Sequence, residues 1–151
     1  MHVLKQWLWL RFALVALIVF FADTISKFMF KLPNAQTSGH IVDITYIQNT
    51  GTMWSLFSAL GAINIAFIII SFIAIGVILY LFSQYFSPRW AVVFGLMMGG
   101  ILGNLLDRIM YGAVTDWINF HFWPVFNIAD ACLVSGVILA FYFLIKYKDD
   151  V

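Results

Sequence analysis

The chain predicts an all-α membrane protein: four transmembrane helices with a small extracytoplasmic β-containing loop region. Three observations carry this. Of its 151 residues, 64% are hydrophobic and only 10% charged, with a mean hydropathy of +0.98 that no ordinary soluble domain needs. Four apolar runs each approach the ~20 residues that a bilayer-crossing helix requires. Nearly every oddly placed polar residue falls at one end of these runs.

The first span covers about 7–30. It is too long for a signal peptide, lacks a small-residue cleavage pattern and carries Asp23 and Lys27, so it reads as a retained helix. A loop of about 31–58 follows. Within it, Ile41 to Ile47 is β-branched and partly alternating, a strand signal. Gln48 to Trp54 then reads as a turn, with Asn49 and Gly51 suited to positive φ. The second span, about 59–82, offers only Asn64 and Ser71 as interior polar groups and reads as scaffold. A short connector with Pro88 makes a plain helical hairpin into the third span, about 90–111. The fourth covers about 128–145. The whole chain, 1–151, reads as a single membrane domain, without linker, repeat or low-complexity tract.

Charge sets orientation and excludes some partners. Lys5, Arg11, Arg89, Lys146 and Lys148 fall on one side, and Lys27, Lys31 and Arg108 on the other. The positive-inside rule puts the five-residue side, with both termini, in the cytoplasm. Trp7, Trp9, Trp90 and Trp123 sit near span ends, as interfacial anchors do. A net charge of +1 with no basic stripe gives nucleic acid nothing to bind. Cys132 is the single cysteine and reads as a small apolar filler; with His2, His40 and His121 scattered, no metal-ligand spacing exists.

The acids are the informative residues. All seven are aspartates. Asp116 and Asp130 lie fourteen residues apart, each against an apolar run, where a carboxylate is costly and functional by default. If they converge they share a proton, the chemistry of aspartic peptidases. Each polar group also has a plainer explanation. Asp23 and Lys27, four apart, can be a helix-end ion pair. Asn127 can be an N-cap with Asp130 at the third helical position. Asn104 and Asp107, beside the Gly95–Gly99–Gly103 packing stripe, can clamp two helices; Arg108, which would keep Asp107 ionised and occupied, is one candidate partner, and Lys27 or Asp23 of the first span is another. None of these explains Asp116.

In order and spacing, five blocks together resemble the lipoprotein signal peptidases, or signal peptidase II. They are Asp23-Thr-Ile-Ser-Lys27; Asn49-Thr-Gly51; Gly99-Gly-Ile-Leu-Gly-Asn104-Leu-Leu-Asp107-Arg108; Val114-Thr-Asp116; and Phe126-Asn127-Ile-Ala-Asp130. The resemblance implies Asp116 and Asp130 as the catalytic pair. It implies Asp23, Lys27, Asn49, Gly51, Asn104, Asp107, Arg108 and Asn127 as supporting or substrate-binding residues. It also implies an aspartic endopeptidase that cuts diacylglyceryl-modified prolipoproteins before the lipidated cysteine. That enzyme would work as a monomer, in contact with membrane lipids, at the extracytoplasmic face of a bacterial plasma membrane, with neither metal nor organic cofactor. Thr52-Met53-Trp54 and Trp117 depart from the family's usual residues and bear on pocket shape. Two other classes fit the residues alone: an ion- or proton-conducting protein, and an inactive lipid- or peptide-binding relative. The first needs acids spread through the membrane depth, whereas these gather at one face.

Overall fold

The computed structural model describes residues 2–51 and 62–147. Helix α1 spans His2–Phe30, strand β1 Asp43–Asn49, α2 Ala62–Gln84, α3 Pro88–Tyr111, β2 Val114–Asn119 and α4 Ile128–Lys146. All four helices are long and apolar enough to cross a membrane. The expected spans are therefore found, with shifted ends. Helix α1 begins near the chain start because Lys5 and Gln6 extend the helix beyond the apolar run. Helix α3 begins at Pro88, since Ser87 caps it and proline fits the first turn. The expected start of the second span at residue 59 and the Thr52-Met53-Trp54 departure lie outside the described residues.

Helix α3 is the central element, packed against α1, α2 and α4. Its glycines explain how. Gly95 and Gly99 lie against Phe12, Val15, Ala16 and Val19 of α1, while Gly100 lies against Ala129 and Leu133 of α4. A Cβ on Gly103 would strike the Asp23 carboxylate, so glycine there is what lets α1 bring an acid against α3. The outward faces of α1, α2 and α4 expose large apolar side chains such as Ile18, Phe72 and Phe141, the surface a bilayer covers.

The two ends of the bundle differ. One is aromatic: Phe12 stacks on Phe82 at 4.8 Å and Trp9 meets Phe82 edge-on at 4.7 Å. The other carries the small sheet. Strands β1 and β2 pair antiparallel, with Ile47 opposite Asp116 and Asn49 opposite Val114, and the register is irregular between Ile44 and Ile47. An isolated bridge joins Ile118 to Phe126 on the far side of β2. Two expectations change here. The strand read over 41–47 runs to Asn49, so Asn49 ends a strand rather than sitting in the turn. The segment between the third and fourth spans, for which no strand is expected, contains β2, which carries Asp116. Cross-strand hydrogen bonding to a partner some seventy residues earlier makes that strand, and local periodicity over six residues cannot announce it.

Candidate active site

Strand β2 places Asp116 beneath the sheet, only 2% exposed. One carboxylate oxygen accepts from Asn49 Nδ2 at 2.8 Å, and the other from Asn127 Nδ2 at 2.7 Å. Asp130 stands at the third position of α4. Its Oδ1 accepts from Asn104 Nδ2 at 2.7 Å. Its Oδ2 accepts from the Asn127 backbone N–H at 3.4 Å, while Asn127 Oδ1 accepts from Asp130 N at 2.9 Å, a complete capping box. Asn127 is therefore both the helix cap that the sequence allowed and the bridge between the two acids. Its amide nitrogen also reaches Asn104 Oδ1 at 3.1 Å and Thr115 O at 3.3 Å.

Beneath this pair lies a buried ionic layer. Lys27 Nζ sits 2.6 Å from Asp23 Oδ2, 2.9 Å from Asn104 Oδ1 and 3.5 Å from Asp107 Oδ2. The helix-end pair of Asp23 and Lys27 exists, but it does not snorkel outward, since both side chains are buried. Asp23 Oδ1 accepts from Ala129 N at 2.9 Å, which ties α1 to the first turn of α4. Asp107 Oδ2 accepts from Thr115 N at 2.8 Å, which ties α3 to β2 immediately before Asp116.

Of its candidate partners Asp107 pairs with Lys27; consecutive helical side chains point to different faces, which turns Arg108 away. Its Nη1 donates to Asn104 O at 3.5 Å and its guanidinium lies 4.8 Å from the Phe67 ring centroid, on the α2 side. Gly51 follows Asn49 with φ +80 and donates its N–H to Asn49 Oδ1 at 2.8 Å. A Cβ there would run into Phe67, so glycine satisfies both the backbone and the space. That bond fixes the Asn49 amide so that its nitrogen faces Asp116.

The network gathers four aspartates around one buried lysine, with Arg108 at the rim. Burial pushes the Asp116 carboxyl up to about 6, and the nearby Asp130 charge adds to this. The amides of Asn49 and Asn127, together with the Lys27 charge, oppose the rise. A carboxyl that changes charge near neutral pH beside a second carboxyl is the electrostatic condition for acid–base work.

The sequence model of signal peptidase II matches residues 15–146. A lipoprotein signal peptidase of Lactobacillus johnsonii is 36% identical over 150 residues, covering 93% of this chain and 94% of that one. One from Halothermothrix orenii is 36% identical over 137 residues, covering 87% and 92%. The chain belongs to the signal peptidase II family. Two solved bacterial membrane enzymes share the fold. One has a TM-score of 0.79 at 30% identity, covering 88% of this chain and 91% of its own. The other has a TM-score of 0.77 at 29% identity, covering 91% and 88%.

Within this family member the described site also uses groups that no motif announces. Thr115 and Ala129 contribute backbone N–H groups, and Phe67 of α2 packs on both Gly51 and Arg108. Backbone donors have no residue-type signature, so sequence reading passes over them. Next to the acids lie two openings. One, of about 310 Å³, is lined by Ile47, Asn49, Asp116, Pro124 and Val125. The other, of about 340 Å³, is an almost wholly apolar cleft between α2, α3 and α4, with Ser71, Asn104 and Arg108 as its polar residues.

Proposed function

We propose that Asp116 and Asp130 are the catalytic pair of this lipoprotein signal peptidase, and that the substrate is a diacylglyceryl-modified prolipoprotein cut before its lipidated cysteine. The observation that carries the reading is the single Asn127 side chain and backbone holding one oxygen of each acid. An acid pair so bridged can divide the acid and base roles of amide hydrolysis between its members. The ionised member takes a proton from water as the water oxygen adds to the scissile carbonyl carbon. The protonated member donates to the carbonyl oxygen. In the collapse the C–N bond breaks and a proton passes to the leaving nitrogen. Asp23, Lys27, Asn49, Gly51, Asn104, Asp107, Arg108 and Asn127 support the pair or face the substrate. The enzyme of this reading acts as a monomer, and the reaction needs no metal or organic cofactor.

The apolar cleft supports a membrane-borne substrate, since it leads to Asn104 and Arg108 and offers acyl chains or an apolar helix a continuous wall. The test is incubation of the purified chain with a diacylated prolipoprotein and measurement of product masses. A cut elsewhere than before the lipidated cysteine sinks the reading. Clustering of the acids at one end of the bundle disfavours an ion-conducting protein.

The raised Asp116 value gives a pH dependence with a definite sign. The pair works with one proton between its members, and burial at Asp116 holds that proton up to about 6. Above that pH Asp116 loses the proton it would donate and kcat/KM falls, approaching about tenfold per pH unit. A profile flat from the weakly acidic to the weakly alkaline range would exclude a shared-proton pair.

Both termini lie in the cytoplasm and the acids at the extracytoplasmic face of the plasma membrane in this reading. Two of the cations on the minority side have local roles: Lys27 is buried in the ionic layer, and Lys31 lies 3.5 Å from the Tyr111 ring centroid. Discounting them strengthens the positive-inside bias. A reporter fused after Val151 should be active only in the cytoplasm; activity outside would reverse the topology.

A further inference from the structure

The aromatic end of the bundle holds two cavities that peptide cleavage does not use. One, of about 290 Å³, lies between the α2–α3 turn and the end of α4, lined by Gln84, Ser87, Arg89, Trp90, Phe143 and Tyr147. The other, of about 160 Å³, lies across the same turn, lined by Lys5, Trp9, Ser83 and Phe86. Each combines one cation with aromatic walls and a hydroxyl. The Arg89 guanidinium carbon lies 3.8 Å from the Tyr147 ring centroid. Among the described residues neither Arg89 nor Lys5 has a carboxylate within ion-pair distance. The described carboxylates, Asp23, Asp43, Asp107, Asp116 and Asp130, all belong to the opposite end.

Stacking on Tyr147 holds the planar guanidinium by its face, which leaves its N–H edge for an acceptor. The first turn of α3 adds to the field. Pro88 has no N–H there, Ser87 takes the N–H groups of Trp90 and Ala91, and that of Arg89 has no protein acceptor among the described residues. Lys146 stands 5.6 Å from the same Tyr147 ring. Around the cavity mouths the outward faces of α2 and α4 are apolar, with Leu79, Tyr80, Phe141 and Ile145 exposed.

We propose that this end binds the phosphodiester headgroup of an anionic phospholipid, with Arg89 as the principal contact and Lys5 as the second, across the α2–α3 turn. A free phosphate would gain only the charge. A lipid also lays its acyl chains along the apolar flanks, and basic pockets between membrane helices bind such headgroups.

The test uses the full chain, purified from mixed vesicles of phosphatidylglycerol and phosphatidylcholine, with retained lipid counted by native mass spectrometry. Phosphatidylglycerol should be retained in preference. Arg89→Gln should cut that preference about fivefold, the change one interfacial cation supplies. Lys5→Gln should cut it further, and Lys31→Gln at the other end should leave it unchanged. Equal retention of both lipids by the unaltered chain, which requires no variant to fold, overturns the proposal. So does a preference that survives Arg89→Gln. Displacement of phosphatidylglycerol by inorganic phosphate at comparable concentration would replace the lipid with a free anion and also overturn it.

Discussion

Asp116→Asn and Asp130→Asn should each lower turnover by at least about a hundredfold and as much as ~10⁴-fold, the range that a positioned acid–base group contributes. Asparagine keeps the size of each side chain, so the helices and sheet should persist, and circular dichroism of the purified variants checks this. It cannot take a proton from water or hand one on. The double variant should be little worse than either single one, because the two acids act as a unit. Asp107→Asn is the comparison. Asp107 accepts from Thr115 N and faces Lys27 at 3.5 Å, one layer below the pair. Its loss should lower folded yield and leave part of the activity. An essential Asp107 beside a dispensable Asp116 would show that the wrong acids have been paired.

A lipidated precursor should be cleaved at least about a hundredfold faster, in kcat/KM, than the same precursor without lipid. The acids lie at one end of the bundle, next to an apolar cleft of about 340 Å³. Phe122 and Trp123 stand 82% and 62% exposed on the segment between the two acids, as residues in a headgroup layer do. Each acyl CH₂ buried contributes ~0.8 kcal/mol, so burying only four yields ~3 kcal/mol, about two orders of magnitude. Binding energy remote from the scissile bond then orients it against Asp116 and Asp130. Rates in one detergent or lipid system decide the matter. Equal rates would leave a membrane peptidase indifferent to lipid.

The apolar runs, the glycine stripe of α3 and the asymmetric placement of polar residues were legible in the chain because each depends on local composition and helical period. The sequence alone also marked Asp116 as a carboxylate with no plain structural reason, and the ordered motif blocks carried the family. It left Asp130 with two explanations; the structure contains the capping box, and the same Asn127 also holds Asp116. For Asp107 the sequence left two candidate partners, the adjacent Arg108 and the first span's Lys27 or Asp23, and adjacency in the chain is not adjacency on a helix. The structure decides for Lys27, eighty residues earlier.

By itself, then, the sequence determined what membrane burial dictates: four helices, their faces and the end at which the acids lie. Only the tertiary structure decided that Asp116 rides on a strand, that one asparagine joins the two acids and that a buried lysine sits beneath them. The reason is physical. Helical spans are specified by residues three or four apart, whereas a two-stranded sheet and a polar network are specified by partners from distant segments. An amide or a backbone N–H finds its acceptor only when the packed helices have brought it there.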